Sequence, residues 1–257
     1  MKKKVLELIF IFYIGFFTVF AQSTLNAKTI MSVVAPKSPA AIPILKMVES
    51  NCMGENIEID LQFYNSMEAM VTLASGKNYD VLIVPTHTAV NLYNKGMDVK
   101  LLNVFNWGGT YLSTTDPDCF DWEDLEGKEL YVPARGSIPD ILTQYFLNQN
   151  GLVIGKNIEV VYSTHIEIAQ LIASGRIKYA VDAQPYVSLN LKKVKDYRVI
   201  SEFSKYWELT QGKGYFMPGN CSVANSEYLS KNKDIVFNFD EKLSDVIEWA
   251  VENPEEA

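Results

Sequence analysis

Arg135-Gly136-Ser137, just ahead of a helix that opens Ile138-Pro139, is the stretch of this sequence best equipped to hold a small molecule. Backbone N–H groups at a helix start have no partner inside the helix, and the helix dipole adds partial positive charge there. Such a turn cradles an anion. Ser137 would add a hydroxyl and Arg135 a formal charge. The same residues also suit a plainer role, with Ser137 capping its helix and Arg135 solvated. A second turn, Ser38-Pro39, occupies a parallel place in the first half of the chain and carries the same two readings.

The two histidines, His87 and His165, both fall on predicted loops beyond strand ends. A pair of imidazoles can ligate a metal or serve as acid and base. Neither has a nearby cysteine or acidic cluster to complete a metal site. Hydrogen bonding to a ligand or a loop is the expected role, with Thr86 beside His87. Trp107, Tyr111, Tyr186 and Phe216 lie at predicted strand ends or crossings, where a ring stacks on a flat ligand or packs against a neighbouring lobe. Trp107 and Tyr186 lead that set, and Asn65 and Gln184 add side-chain amides. No Ser-His-Asp order, phosphate-binding loop or dinucleotide fingerprint occurs. No catalytic residue, metal or cofactor is expected.

The elements that must position these residues alternate between strand and helix. Strands are predicted at 30–35, 57–64, 81–84, 99–105, 130–132, 158–163, 179–183 and 197–203, with further strands at 215–217 and 222–224. Helices are predicted through residue 48 and over 66–75, 88–95, 138–149, 166–173 and 236–251. Val81–Val84 is a short unbroken apolar run, which suits a strand buried on both faces of a parallel sheet. Ligands of such sheets sit beyond the carboxyl ends of the strands. That rule selects Ser38, Pro39, Asn65, Thr86, His87, Trp107, Arg135, Gly136, Ser137, His165, Gln184 and Tyr186.

One pattern also occurs twice. Gly54-Glu55-Asn56-Ile57-Glu58-Ile59, Glu68, Ala74-Ser75-Gly76-Lys77 and Pro85 return as Gly155-Lys156-Asn157-Ile158-Glu159-Val160, Glu167, Ala173-Ser174-Gly175-Arg176 and Pro185. Upstream of each copy a helix opens Ile-Pro, at Ile42-Pro43 and Ile138-Pro139. A twofold repeat this long implies paired domains and not a solenoid. The fold class that follows is α/β with two lobes, each a mainly parallel sheet flanked by helices and with the ligand cleft between them. Lobe one is expected over 28–110 and 213–257, and lobe two over 111–212.

Residues 1–21 read as a secretory signal: Lys2 to Lys4, an apolar run from Leu8 to Phe20, and small residues at Val19-Phe20-Ala21, with a second possible cut after Ala27. Removing 1–21 would leave 20 basic against 30 acidic residues, taking the net charge from -8 to -10. An acidic surface argues against nucleic acid or an anionic membrane as partner. Cys52, Cys119 and Cys221 are too few and too scattered for a disulfide framework or a zinc site, and buried, inert thiols are expected. Asn253-Pro254-Glu255-Glu256 carries the signals of a helix start with no helix after it, so a terminal helix or two is expected beyond this sequence.

Asp124-Leu125-Glu126-Gly127-Lys128-Glu129-Leu130-Tyr131-Val132-Pro133 resembles the lead-in to a strand in periplasmic substrate-binding proteins of ABC importers, in the nitrate/sulfonate/taurine and thiamine-pyrimidine-precursor branch. Gly136-Ser137 falls where that branch has a ligand-binding helix start. Ala173-Ser174-Gly175, Tyr179-Ala180-Val181-Asp182 and Gln184-Pro185 are similar to a further family element, without its leading acid. Asn253–Ala257 resembles a turn after which members carry more helices. The resemblance covers roughly residues 29–257. It implies the two-lobed type II periplasmic-binding fold in a monomer, and capture of an anionic or flat heterocyclic solute by closure. It also implies a periplasmic location and delivery to a permease with its ATPase. Enzymes of pyrimidine and menaquinone precursor synthesis share the fold, and they are the alternative.

Overall fold

A computed structural model describes residues 28–76, 78–253 and 256; the expected leader and its cleavage points lie outside them. The strands in chain order are β1 (Thr29–Pro36), β2 (Ile57–Tyr64), β3 (Val81–Pro85), β4 (Val99–Val104), β5 (Thr110–Thr114), β6 (Glu129–Pro133), β7 (Glu159–Ser163), β8 (Tyr179–Ala183), β9 (Arg198–Glu202) and β10 (Asn220–Asn225). The helices are α1 (Ile42–Glu49), α2 (Met67–Ser75), α3 (Thr86–Asn94), α4 (Ile138–Gln149), α5 (His165–Ala173), α6 (Tyr186–Lys193), α7 (Phe203–Gln211), α8 (Ser226–Lys231) and α9 (Lys233–Glu252).

The chain divides into two compact units. One takes the residues up to Phe105 and from Asn220 onward, the other Asn106–Gly219. The first sheet runs in the order β2-β1-β3-β10-β4 and the second β7-β6-β8-β5-β9. Strand for strand these are the same arrangement. In each, four strands run one way, and the fourth in order is antiparallel to both neighbours. Even the irregularities coincide: β10 slips register against β4 between Ser222 and Val223, and β5 against β9 between Leu112 and Ser113. The sheets are therefore mixed. The reversed strand in each case is the first one laid down after the chain passes from one unit to the other.

Both sheets are covered on two faces, and the alternation of side chains shows it. Met31, Val33 and Ala35 enter one core cluster with Val81 and Ile83, while Val34 enters another with Leu82 and Val84. In the second unit Leu130, Val132, Tyr179 and Val181 face the Trp122–Phe146–Phe203 cluster. Ala180, packed against Tyr131 and Val199, faces Ile168, Ile172 and Val187. Period-two burial on both sides makes the apolar runs continuous in sequence. The stripe on α9 is buried as expected at Phe239, Leu243 and Val246.

Several expectations need correction. Residues 215–217 form no strand; only Trp107 and Pro218 make an isolated bridge. The strand expected over 197–203 stops at Glu202, because Phe203, fully buried, opens α7. Gly76 caps α2 with right-handed angles (φ -72°, ψ -4°), so it does not supply the left-handed cap that a glycine usually brings. Cys119 and Cys221 are buried, but Cys52 is only half-buried; all three are free thiols. Burial pushes the Cys119 and Cys221 thiols up to about 11.

Candidate functional site

Strand register decides which loops gather at one edge. In the Asn106–Gly219 unit Pro133 lies opposite Ser163, and Thr110 opposite Ala183. The carboxyl ends of β6, β7 and β8 and the start of β5 therefore share one edge of the sheet. That edge carries Arg135–Ser137, His165, Gln184–Tyr186 and Trp107. In the other unit Pro36 lies opposite Tyr64, and Asn220 opposite Pro85. The corresponding edge carries Ser38, Pro39, Asn65, Thr86 and His87.

The Gly136 turn departs from a simple anion cradle. Gly136 has φ +78°, a left-handed conformation. Its N–H donates to the Asp140 carboxylate (Oδ2, 2.7 Å). Ser137 is the N-cap of α4. Its hydroxyl donates to the Pro133 carbonyl (2.9 Å) and accepts from the Asp140 N–H (3.4 Å). The capping role is thus filled. The Arg135 guanidinium is exposed and sits over the Tyr162 ring, 4.9 Å from its centre. A methyl group added at Gly136 would meet nothing within 4 Å. Gly136→Ala is accordingly expected to destabilise by backbone strain alone, about 1–2 kcal/mol by urea unfolding.

His165 and Tyr186 come together. They are brought from the ends of β7 and β8, and their rings stack with centroids 6.0 Å apart and planes 7° from parallel. Thr164 caps α5 by accepting from the Glu167 N–H, which fixes His165 as the first helical residue. Burial pushes the His165 imidazole below its ordinary value, so it is neutral near neutral pH, and its Nδ1 is buried without a partner. A neutral ring with one uncommitted nitrogen beside a tyrosine face offers stacking and one hydrogen bond to a polar, flat group. Trp107, about half exposed, meets Phe216 edge-on at 6.0 Å. Gln184 lies just before the cis Pro185 that leads into α6, and its carbonyl accepts from the Ser188 hydroxyl (2.8 Å).

On the other unit, Ser38 starts a short 3-10 turn, Pro39–Ala41, and its side chain makes no capping bond. Asn65 is exposed, next to Ser66, whose hydroxyl caps α2. Thr86 opens α3 beside the buried Cys221 thiol, to which it hydrogen-bonds. His87 follows, with Nε2 3.3 Å from the Thr88 hydroxyl and a buried, unpartnered Nδ1. Burial lowers its pKa too. Among the described residues, no group of three His, Cys, Asp or Glu side chains is placed to hold a metal.

Three residues near these edges escape a reading from sequence. Asp140 closes the Gly136 turn; its spacing from Ser137, three residues on, is the capping-box pattern and was the available signal. Asp182, fully buried one residue before the β8 end, has no such signal. Ser204, whose hydroxyl lies 3.0 Å from where a Gly108 Cβ would be, was hidden inside a strand drawn too long.

The family model described as NMT1/THI5 like matches residues 53–257. A curated relative from Bacillus subtilis (strain 168), "Putative binding protein YtlA", is 25% identical over 204 residues, which are 77% of this chain and 58% of the relative. The chain thus spans less than two thirds of that relative's length. An ABC transporter structure from Parabacteroides distasonis is 26% identical with a TM-score of 0.73, covering 89% of this chain and 76% of the other. The periplasmic aliphatic sulphonate-binding protein of Escherichia coli superimposes with a TM-score of 0.70 at 14% identity, over 90% and 76% of the two chains. At that identity the likeness concerns the fold, which is the periplasmic-binding-protein type. With four-fifths of its length matched by the family model and its two mixed α/β sheets in the matching fold, this chain belongs to the NMT1/THI5-like family.

Proposed function

We propose that this chain is a solute-binding component of an ABC-type importer, working outside the cytoplasm and handing its ligand to a membrane permease. The observation that carries this reading is a pair of units with one strand order. The carboxyl edge of each presents an uncharged imidazole with an uncommitted nitrogen, at His87 and at His165. Around them stand exposed rings and short polar side chains, and no nucleophile is paired with a base. Groups of this kind hold and orient a molecule; they do not supply the activated nucleophile or poised acid that chemistry demands. The family and the relatives described as binding proteins support the same reading.

A solute bound only by the folded state raises its melting temperature. A thermal-shift panel of small oxyanions, sulfonates, pyrimidines and other flat heterocycles is expected to yield at least one stabilising compound, recovered unaltered afterwards. His165→Ala and Tyr186→Ala are each expected to weaken that compound about tenfold by calorimetry. A compound that is turned over, or one whose affinity ignores both substitutions, would count against the proposal.

A further inference from the structure

The start of α4 has little left to offer an anion. Gly136 N–H is bonded to Asp140, Ser137 N–H to the Ala134 carbonyl (3.1 Å) and Asp140 N–H to Ser137. Pro139 has no N–H. Ile141 N–H bonds the Ser137 carbonyl (3.0 Å). The Asp140 carboxylate itself is 1% exposed, and it also accepts from Gln144 (2.8 Å) and the Tyr162 hydroxyl (2.9 Å). An anionic group already occupies the place where a helix dipole and free donors would receive one. Its charge also offsets Arg135, whose guanidinium rests on the same Tyr162 ring.

The fold does not demand an acid here. The other unit opens α1 with Ile42-Pro43 as this one opens α4 with Ile138-Pro139, and the residue that follows is Ile44, fully buried. One position thus takes a buried isoleucine in one unit and a buried carboxylate in the other. We infer that Asp140 is a specificity residue: it excludes anionic groups from the β6–α4 turn, so the part of a solute that meets this turn is uncharged or positively charged. The inference rests on the solute-binding reading above and narrows its ligand class.

The test is calorimetry of the wild-type protein, Asp140→Ala and Asp140→Asn with methanesulfonate as the probe anion, circular dichroism reporting the fold. No binding is expected for the wild type, and a gain of roughly tenfold or more for the alanine variant. Asparagine keeps the volume and removes the charge, so it is the variant to read if alanine prevents folding; a smaller gain is expected there. An Asp140 with a purely structural role would lose stability in both variants and acquire no anion binding. Folded variants that bind methanesulfonate no better than wild type overturn the inference. So does wild-type binding that Ser137→Ala weakens. Neither result touches the solute-binding reading, which depends on the whole panel and on His165 and Tyr186.

Discussion

Trp122→Ala is expected to destabilise the Asn106–Gly219 unit by about 3–5 kcal/mol. Trp122 is 1% exposed, and its ring lies 5.4 Å from Phe146, 5.5 Å from Phe203 and 5.7 Å from Tyr206. Its indole N–H also donates to the Ser201 hydroxyl (3.2 Å). It comes from the connection between β5 and β6, yet it is the ring that joins α4 to α7. Truncation would leave a void bounded by stiff aromatic rings, which cannot collapse into it as aliphatic chains do. Trp107→Ala, which removes a half-exposed ring, is expected to change stability by about 0.5 kcal/mol or less. Urea unfolding of the two variants side by side decides the matter: equal losses would mean that the aromatic cluster is not what holds this unit.

Asp182→Asn is expected to stabilise the protein at neutral pH by up to about 3 kcal/mol, and to leave it unchanged near pH 4. Burial raises the Asp182 carboxyl from 3.8 to about 6, against the Ala183 N–H (2.8 Å) and the more distant Asn190 amide (3.4 Å), which favour the ionised form. The Tyr197 hydroxyl lies nearby, buried and without a formed hydrogen bond. The folded chain therefore keeps this proton up to about pH 6, while the unfolded chain releases it near 3.8. Between those values the native state binds more protons, so this group lowers stability as pH rises. Asparagine retains an acceptor for Ala183 and removes the titration. Urea midpoints of both proteins across that window should diverge upward with pH; a constant difference would show that Asp182 does not titrate there.

Much of the architecture is legible from residue order. Ile57–Tyr64, Ile138–Gln149 and Tyr179–Ala183 have the bounds that apolar runs and their glycine, proline and serine punctuation mark out. The repeated pattern is matched by a repeated strand order. What the sequence hides has physical causes. Helices α6 and α7 begin after Pro185 and Glu202 with no side-chain capping bond, so no start signal announces them. Phe203 is apolar enough to pass for the last residue of β9. β5, Thr110–Thr114, is mostly hydroxylated and lacks the apolar alternation of a strand, although three of its five residues bury hydroxyl groups. At the candidate site, residue types at the loops can be read, but the direction of a side chain cannot. Nothing in Gly136-Ser137 reveals that Asp140 turns back to take their donors. Only the capping spacing hints at it.

The antiparallel fourth strand has a consequence for how the chain acquires its structure. β10 lies between β3 and β4, neighbours in sequence that never pair with each other. During synthesis the first sheet must wait, with an open slot at its middle, until all of Asn106–Gly219 has emerged. The later unit is contiguous and has every strand it needs by Glu202, so it is set to mature first, reversing the usual amino-to-carboxyl order. The waiting edges of β3 and β4 are apolar and unpaired in that interval, which marks them as the place where premature association would begin.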